Sequence, residues 1–214
     1  MDVIGYIHVC QKGQWQRSFK ILMDSIKKSG LYERTKIIRI GVVNDTGILI
    51  EDGLFFDTKF RIVYVGKSEE YERPTLLHMR KKSEEDNPNT LYYYLHTKGI
   101  RHFGNANELC ILDWIDFMLY WNIERWELAV EKLQNYDTYG CNYTGQHYSG
   151  NFWWAKKSHI TTLSTTIDSY YNAPEDWIHS KACNIFCAFK SGYQGMADGA
   201  GHYVNLFPKG KYIL

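Results

Sequence analysis

Four residues able to do chemistry stand together at the end of an apolar run. His96, Thr97, Lys98 and Gly99 directly follow Leu91–Leu95, which reads L-Y-Y-Y-L. An imidazole can donate, accept or ligate, a hydroxyl donates and accepts, and an ammonium brings a compact positive charge. Together they suit an anionic ligand. A second grouping is the carboxylate pair Glu175–Asp176, between Pro174 and Trp177. A positioned carboxylate can take a proton, or stabilise positive charge developing on a sugar-like carbon. His8 closes an apolar run over 2–10, and His202 stands among glycines with Lys209 and Lys211 beyond it.

The elements that carry these residues follow from the pattern. Leu91–Leu95 lies between Pro88 and Gly99, so it reads as a strand buried on both faces. Such a strand belongs in the middle of a mostly parallel sheet. In open α/β sheets, ligands bind beyond the carboxyl ends of the strands, which is where His96-Thr97-Lys98 falls. Further strands are expected over 2–10, 37–43 and 60–65. Helices are expected over 15–29, with Trp15, Phe19, Leu22 and Ile26 on one face, and from Pro74 to about Lys82. Strand and helix alternating over the first hundred residues fit an α/β fold, a nucleotide-binding half. The stretch 108–134 is apolar and helical in spacing, and its Trp114, Phe117, Trp121 and Trp126 read as core. A short strand over 137–142, a helix from Ser158 and a helix from Pro174 towards Phe189 follow. In that last helix both carboxylates fall in the first turn, which favours their ionised forms. Gly145–Ala155, G-Q-H-Y-S-G-N-F-W-W-A, brings glycine beside Trp153 and Trp154, a setting in which aromatic rings could pack against a sugar.

Composition bounds the function. A chain of 214 residues with 44% apolar and 23% charged residues can bury roughly 70% of its unfolded surface. The net charge of +1 gives no bulk attraction to nucleic acid or anionic membrane. No G-x-G-x-x-G and no Walker-type loop occurs, which argues against NAD-type and P-loop chemistry. The five cysteines include no C-x-x-C pair, so neither a disulfide framework nor a zinc site is expected, and a reducing compartment is the simple reading. With no export signal or membrane-length apolar run, a cytoplasmic protein without a membrane span is expected.

Four blocks then occur in order: Tyr71-Glu72-x-Pro74-Thr75-Leu76, Tyr94-Leu95-His96-Thr97-Lys98-Gly99, Ser149-Gly150-Asn151-Phe152-Trp153-Trp154-Ala155 and Glu175-Asp176-Trp177-Ile178. Together they resemble a group of GT-A glycosyltransferases found in large DNA viruses and bacterial polysaccharide clusters, over nearly the whole chain. The likeness extends to the N-terminal glycosyltransferase domain of a multi-domain chlorella virus enzyme. The resemblance implies a GT-A-like central mixed, mostly parallel sheet between helices, forming a single domain that is part of a longer protein. Residues 1–104 would be the nucleotide-sugar half, and 105–214 the acceptor and catalytic half. It also implies a UDP-sugar donor, an oligosaccharide or glycoprotein acceptor, and Mn²⁺ or Mg²⁺, with retention of configuration favoured. A viral protein would act in the host cytoplasm.

The chain departs from that family at one place. No Asp-x-Asp occurs anywhere; Glu84-x-Asp86 imitates it, but before the central strand rather than beyond it. The matching position holds His96-Thr97-Lys98, so His96 becomes a candidate metal ligand and Lys98 a phosphate partner. His202 resembles the late histidine that retaining GT-A enzymes use on metal and diphosphate, with Lys209 in the same tail. His8 falls where the family's uracil and ribose lie, and Thr97, Arg80 and Asn151 are further candidate contacts to diphosphate or sugar. Asp176 is the first candidate catalytic carboxylate and Glu175 the second, with Asp198 in reserve. Two other classes fit the residues: a non-catalytic UDP-sugar or glycan-binding module, and a metal-dependent phosphoryl hydrolase.

Overall fold

The computed structural model describes residues 1–193 and 201–213. Seven strands form one sheet in the order β3-β2-β1-β4-β6-β5-β7. β1 (Val3–Cys10), β2 (Ile37–Asn44), β3 (Phe60–Lys67) and β4 (Leu91–His96) are parallel neighbours in that arrangement, and β6 (Trp153–Lys156) runs antiparallel to β4. β5 (Thr138–Gly140) is antiparallel to β6, and β7 (Ile185–Cys187) is parallel to β5. β6 is thus the one reversed strand of a mostly parallel α/β sheet.

β4 sits in the middle, as its composition predicts. Leu91, Tyr93 and Leu95 enter the core on one face, while Tyr92 and Tyr94 enter a second core on the other. Alternate side chains point to opposite faces, so a strand covered on both sides must be apolar throughout. On the first face pack α1 (Trp15–Lys28) and α4 (Glu108–Leu119). On the other face lies α3 (Arg73–Lys82), whose Leu76 and Met79 are fully buried.

Several elements differ from expectation. The predicted helix over 108–134 is α4, then a π-helical turn at Tyr120–Glu124, then α5 (Trp126–Lys132). The helix expected from Pro174 towards Phe189 is only α7 (Ala173–Asp176) and a 3-10 turn, Trp177–His179. The chain leaves helix there because Ile185–Cys187 is needed at the sheet edge beside β5. The helix expected from Ser158 is the single turn α6 (Lys157–Ile160), and α2 (Leu31–Arg34) is another short turn. Trp153 and Trp154 are core residues rather than a sugar platform: Trp153 stacks on Tyr94 at 5.0 Å between ring centres, and Trp154 packs on Tyr93. All five cysteines are free. Among the described residues no helix is long and apolar enough to cross a membrane.

Asp86, the second acid of the Asp-x-Asp imitation, is engaged in holding the sheet to α3. Its carboxylate takes both terminal nitrogens of Arg39, at 2.5 and 2.7 Å, and the Tyr92 hydroxyl at 2.8 Å. The Arg39 guanidinium also donates to Tyr6 Oη. It therefore lies at the opposite end of β4 from His96.

Candidate functional site

Beyond the carboxyl ends of β1 and β4 lies a crevice in two connected parts. One, of about 340 Å³, is lined by His8, Cys10, Lys12, Tyr71, Thr97 and Arg101 among others. The other, of about 570 Å³, is lined by Lys98, Trp114, His147, Glu175, His202 and Tyr203 among others. Glu72, His96 and Tyr171 line both parts, so they form the passage between them.

The parallel register of β1 and β4 sets His8 opposite His96. His8 is buried, its Nδ1 lies 2.8 Å from Thr75 Oγ1, and burial pushes its pKa down to about 4. Thr97 ties the strand ends together: its N–H donates to the His8 carbonyl, and its Oγ1 accepts from the Cys10 N–H. Gly99 turns the chain with φ +78°, and a Cβ there would stand 2.5 Å from Ile111 Cγ2 of α4. Both the left-handed conformation and the close approach require glycine. This turn points Lys98 over the Trp114 ring, with Nζ 4.3 Å from the ring centre.

His96 Nε2 donates to the Gly150 carbonyl at 3.0 Å. Burial, with Lys98 nearby, lowers its pKa to about 4. The ring is neutral, and the Nε2 bond fixes the tautomer, leaving the Nδ1 lone pair free. That atom faces Glu72 Oε1 at 3.7 Å. Glu72 Oε2 accepts from the Tyr94 hydroxyl at 2.7 Å and from Asn151 Nδ2 at 2.5 Å. Asn151, with φ +56° and its Oδ1 taken by the Trp153 indole, is wholly buried. It grips Glu72 and does not reach the crevice, so the sugar contact expected of it is corrected to a supporting one.

His202 has a definite tautomer as well. Asn142 Oδ1 accepts from the Ser191 N–H, which orients the Asn142 amide so that Nδ2 donates to His202 Nε2 at 3.0 Å. With Nε2 accepting, the neutral ring carries its proton on Nδ1. Burial keeps it neutral by lowering its pKa to about 4. Among the described residues Nδ1 has no partner. The Trp114 indole, parallel to His202 at 5.5 Å, likewise has no acceptor there for its N–H. Lys98, Trp114 and His202 are only 8, 4 and 3% exposed, and no carboxylate pairs with Lys98 among the described residues. Buried donors are ordinarily satisfied. The Trp114 and His202 N–H groups are left over beside one crevice, next to the Lys98 ammonium, and the three together suit an anionic oxygen.

The carboxylate pair divides. Glu175 lines the crevice, whereas Asp176 lines a separate cleft of about 590 Å³ with Tyr143, Tyr170 and Trp177. His147 stands between them: its Nδ1 is 2.8 Å from Asp176 Oδ1 and its Nε2 is 3.4 Å from Glu175 Oε2. The Tyr170 hydroxyl donates to Asp176 Oδ2 at 2.9 Å.

Two expected contacts lie elsewhere. Arg80 donates to the Leu163 carbonyl and pairs with Glu84, its neighbour one turn along α3. Lys209 pairs with Glu124 and lies over the Tyr120 ring. Neither lines the crevice, because α3 presents Arg80 to the 161–164 loop and the tail returns onto the α4–α5 junction. Asp198 lies outside the described residues. The crevice also holds residues to which sequence reasoning gave no part in a site: Glu72, His147, Tyr171 and Trp114, the last of which was read as core. Glu72 stood inside a quoted block, but its acceptor-facing geometry depends on contacts with residues 22 and 79 positions away.

Among the described residues no group of three or more His, Cys, Asp or Glu is placed to hold a metal by itself. His202, presenting N–H, fits an anionic oxygen and not a cation, which corrects its assignment as a ligand. Glu72 Oε1 and His96 Nδ1 do fit a divalent ion that takes its remaining ligands from a diphosphate, since hard ions prefer oxygen and imidazole suits Mn²⁺.

No protein-family model matches the chain, and no curated protein matches it. Among solved structures, HddC from Yersinia pseudotuberculosis is similar over 89% of this chain and 91% of its own, with TM-score 0.48 and 9% identity. A candidate nucleotide-diphospho-sugar transferase from Desulfovibrio desulfuricans G20 is similar over 89% of this chain and 81% of its own, with TM-score 0.45 and 9% identity. Likeness at that level does not decide an activity.

Proposed function

We propose that this chain is a glycosyltransferase, moving a sugar from a UDP-sugar to an oligosaccharide or glycoprotein acceptor, with Mn²⁺ or Mg²⁺ bound beside the donor. The observation that carries this reading is the pair of buried N–H donors of Trp114 and His202, without acceptors among the described residues, beside the Lys98 ammonium in a crevice at the carboxyl end of the central strands. A diphosphate supplies acceptors of that kind, and the part of the crevice around His8 and Tyr71 has room for a nucleoside. The resemblance of the four sequence blocks supports the choice of a UDP-sugar, the viral setting and a cytoplasmic, or host-cytoplasmic, location. Residues 1–104 would then hold most of the nucleotide, and 105–214 the acceptor and the catalytic groups.

In this reading the leaving diphosphate gains charge as the sugar departs, and preorganised donors stabilise that charge. Lys98 supplies a positive charge, His202 and Trp114 supply N–H groups, and Glu175 faces the sugar from the opposite wall. The ion, when bound, neutralises phosphate charge; Glu72 and His96 are the protein atoms that would hold it. A non-catalytic sugar-nucleotide binder would share the pocket but not the carboxylate and imidazole opposite it.

The test is ligand-induced stabilisation followed by turnover. UDP with Mn²⁺ should raise the Tm more than GDP or CMP do, since a ligand at a hundred times its Kd stabilises by about 2.7 kcal/mol. UDP should then be released from at least one UDP-sugar when a glycan acceptor is present. Equal shifts from the three nucleotides would refute the donor class. Binding of UDP without release from any UDP-sugar would favour the binding module, and hydrolysis of simple phosphates would favour the hydrolase.

A further inference from the structure

Resting on that reading, we infer that His147 is the catalytic base that removes the proton of the acceptor hydroxyl, with Asp176 as its positioning residue. The sequence offers no hint of this role, because His147 and Asp176 are 29 positions apart and the segment between them contains no motif for it.

The geometry is specific. Asp176 Oδ1 can only accept, so the 2.8 Å contact to His147 Nδ1 holds the proton on Nδ1. The other Asp176 oxygen is held by Tyr170 Oη, so the carboxylate cannot rotate away without breaking a second bond. In the neutral ring Nε2 is then a lone pair, and it faces Glu175 Oε2 at 3.4 Å on the wall of the crevice. A hydroxyl oxygen beside both atoms can donate its proton to Nε2. An incoming hydroxyl is a donor of the right kind, with its oxygen near the crevice where a sugar carbon would stand. The groups facing His147 from the packed elements are Glu175 and Asp176 of α7 and His179 of the turn after it. Burial pushes the pKa of His179 down to about 4, so near neutral pH it adds no competing charge.

The step balances without another reactant. The acceptor oxygen forms a bond to the anomeric carbon as the bond from that carbon to the β-phosphate oxygen breaks, and its electron pair leaves with UDP. The hydroxyl proton passes to His147 Nε2, and the imidazolium is paired with Asp176 until solvent takes the proton. A base on the acceptor side serves a single displacement, which inverts the anomeric carbon. The retention implied by the family resemblance would instead pass the proton to the leaving phosphate.

The experiment uses the full chain with its UDP-sugar and glycan acceptor. His147→Gln should lower kcat on the order of 10² or more, with UDP affinity by calorimetry and the Tm unchanged. His147→Ala should regain turnover when imidazole is added, in proportion to its unprotonated fraction, an effect that a purely structural histidine would not show. Asp176→Asn should move the acid limb of the kcat profile to lower pH, because an imidazolium without its carboxylate is a stronger acid. Product analysis by NMR should show inversion. A parent-like kcat in His147→Gln, a loss that imidazole does not restore, or retention at the anomeric carbon would overturn the inference while leaving the donor reading standing. Failure of the parent chain to bind UDP or to turn over any UDP-sugar would overturn that reading, and this inference with it.

Discussion

His96 Nδ1 and Glu72 Oε1 face each other at 3.7 Å across the passage between the two parts of the crevice. Each is the free end of a side chain whose other end is fixed: His96 by the Gly150 carbonyl, Glu72 by Tyr94 and Asn151. A lone pair opposite a carboxylate oxygen is a place for a cation. Glu72→Gln keeps the shape and removes the charge. In titrations of Mn²⁺ followed by electron paramagnetic resonance with UDP present, it should weaken Mn²⁺ binding on the order of 10–100-fold. Parent-like Mn²⁺ affinity in both Glu72→Gln and His96→Ala would show that the ion, if used, is held elsewhere.

Lys98 and His202 act on the anion itself. A hydrogen bond to a charged group contributes about 1.5–3 kcal/mol, so Lys98→Met should weaken UDP binding on the order of 10- to 100-fold, measured without metal to isolate the direct contact. His202→Phe keeps the stack on Trp114 and removes the Nδ1–H; it should weaken UDP by less, because that contact lacks a full charge. Unchanged calorimetric affinity in both variants would mean that the diphosphate does not sit there.

Asp86 gives a prediction about stability that leaves the crevice alone. Removing it strands the Arg39 guanidinium, whose side chain is only 10% exposed. Asp86→Ala should cost about 3–5 kcal/mol, the usual loss when one partner of a buried pair is removed. The double variant Arg39→Met with Asp86→Ala should recover part of that loss. Urea unfolding followed by tryptophan fluorescence measures both. A loss within error for the single variant would mean that water reaches and solvates Arg39.

Acid should weaken the fold through its buried neutral histidines. Burial lowers the pKa of His78 and of His179 from 6.5 to about 4. Between those values the unfolded chain binds more protons than the folded one, so stability falls as pH drops from 6.5 towards 4, and this contribution levels off below 4. His78→Gln should flatten the slope of unfolding free energy against pH over that window. An identical slope in parent and variant would show that His78 titrates normally in the folded chain.

Much of the frame was legible because it depends on local pattern. L-Y-Y-Y-L between breakers is buried on both faces in β4, and the polar residues after it do fall at the carboxyl end of the central strands, because alternation and burial follow from the same two-residue period. The glycine at 99 also signalled its own turn. Helix lengths in the second half were less legible: α7 stops after Asp176 because the chain must return to pair with β5, a demand that no residue near 176 expresses.

What the sequence by itself determined is therefore the mostly parallel α/β sheet and the place on it where His96 and Lys98 stand, both products of short-range periodicity. What only the tertiary structure decided is which atom each side chain presents. Gly150, 54 positions from His96, leaves the Nδ1 lone pair; Ser191 and Asn142 leave His202 with a free N–H; and Asp176, 29 positions from His147, holds the proton on Nδ1 and turns Nε2 towards Glu175. Tautomer and direction are set by hydrogen bonds between distant segments, and those bonds exist only once the sheet has brought the segments together.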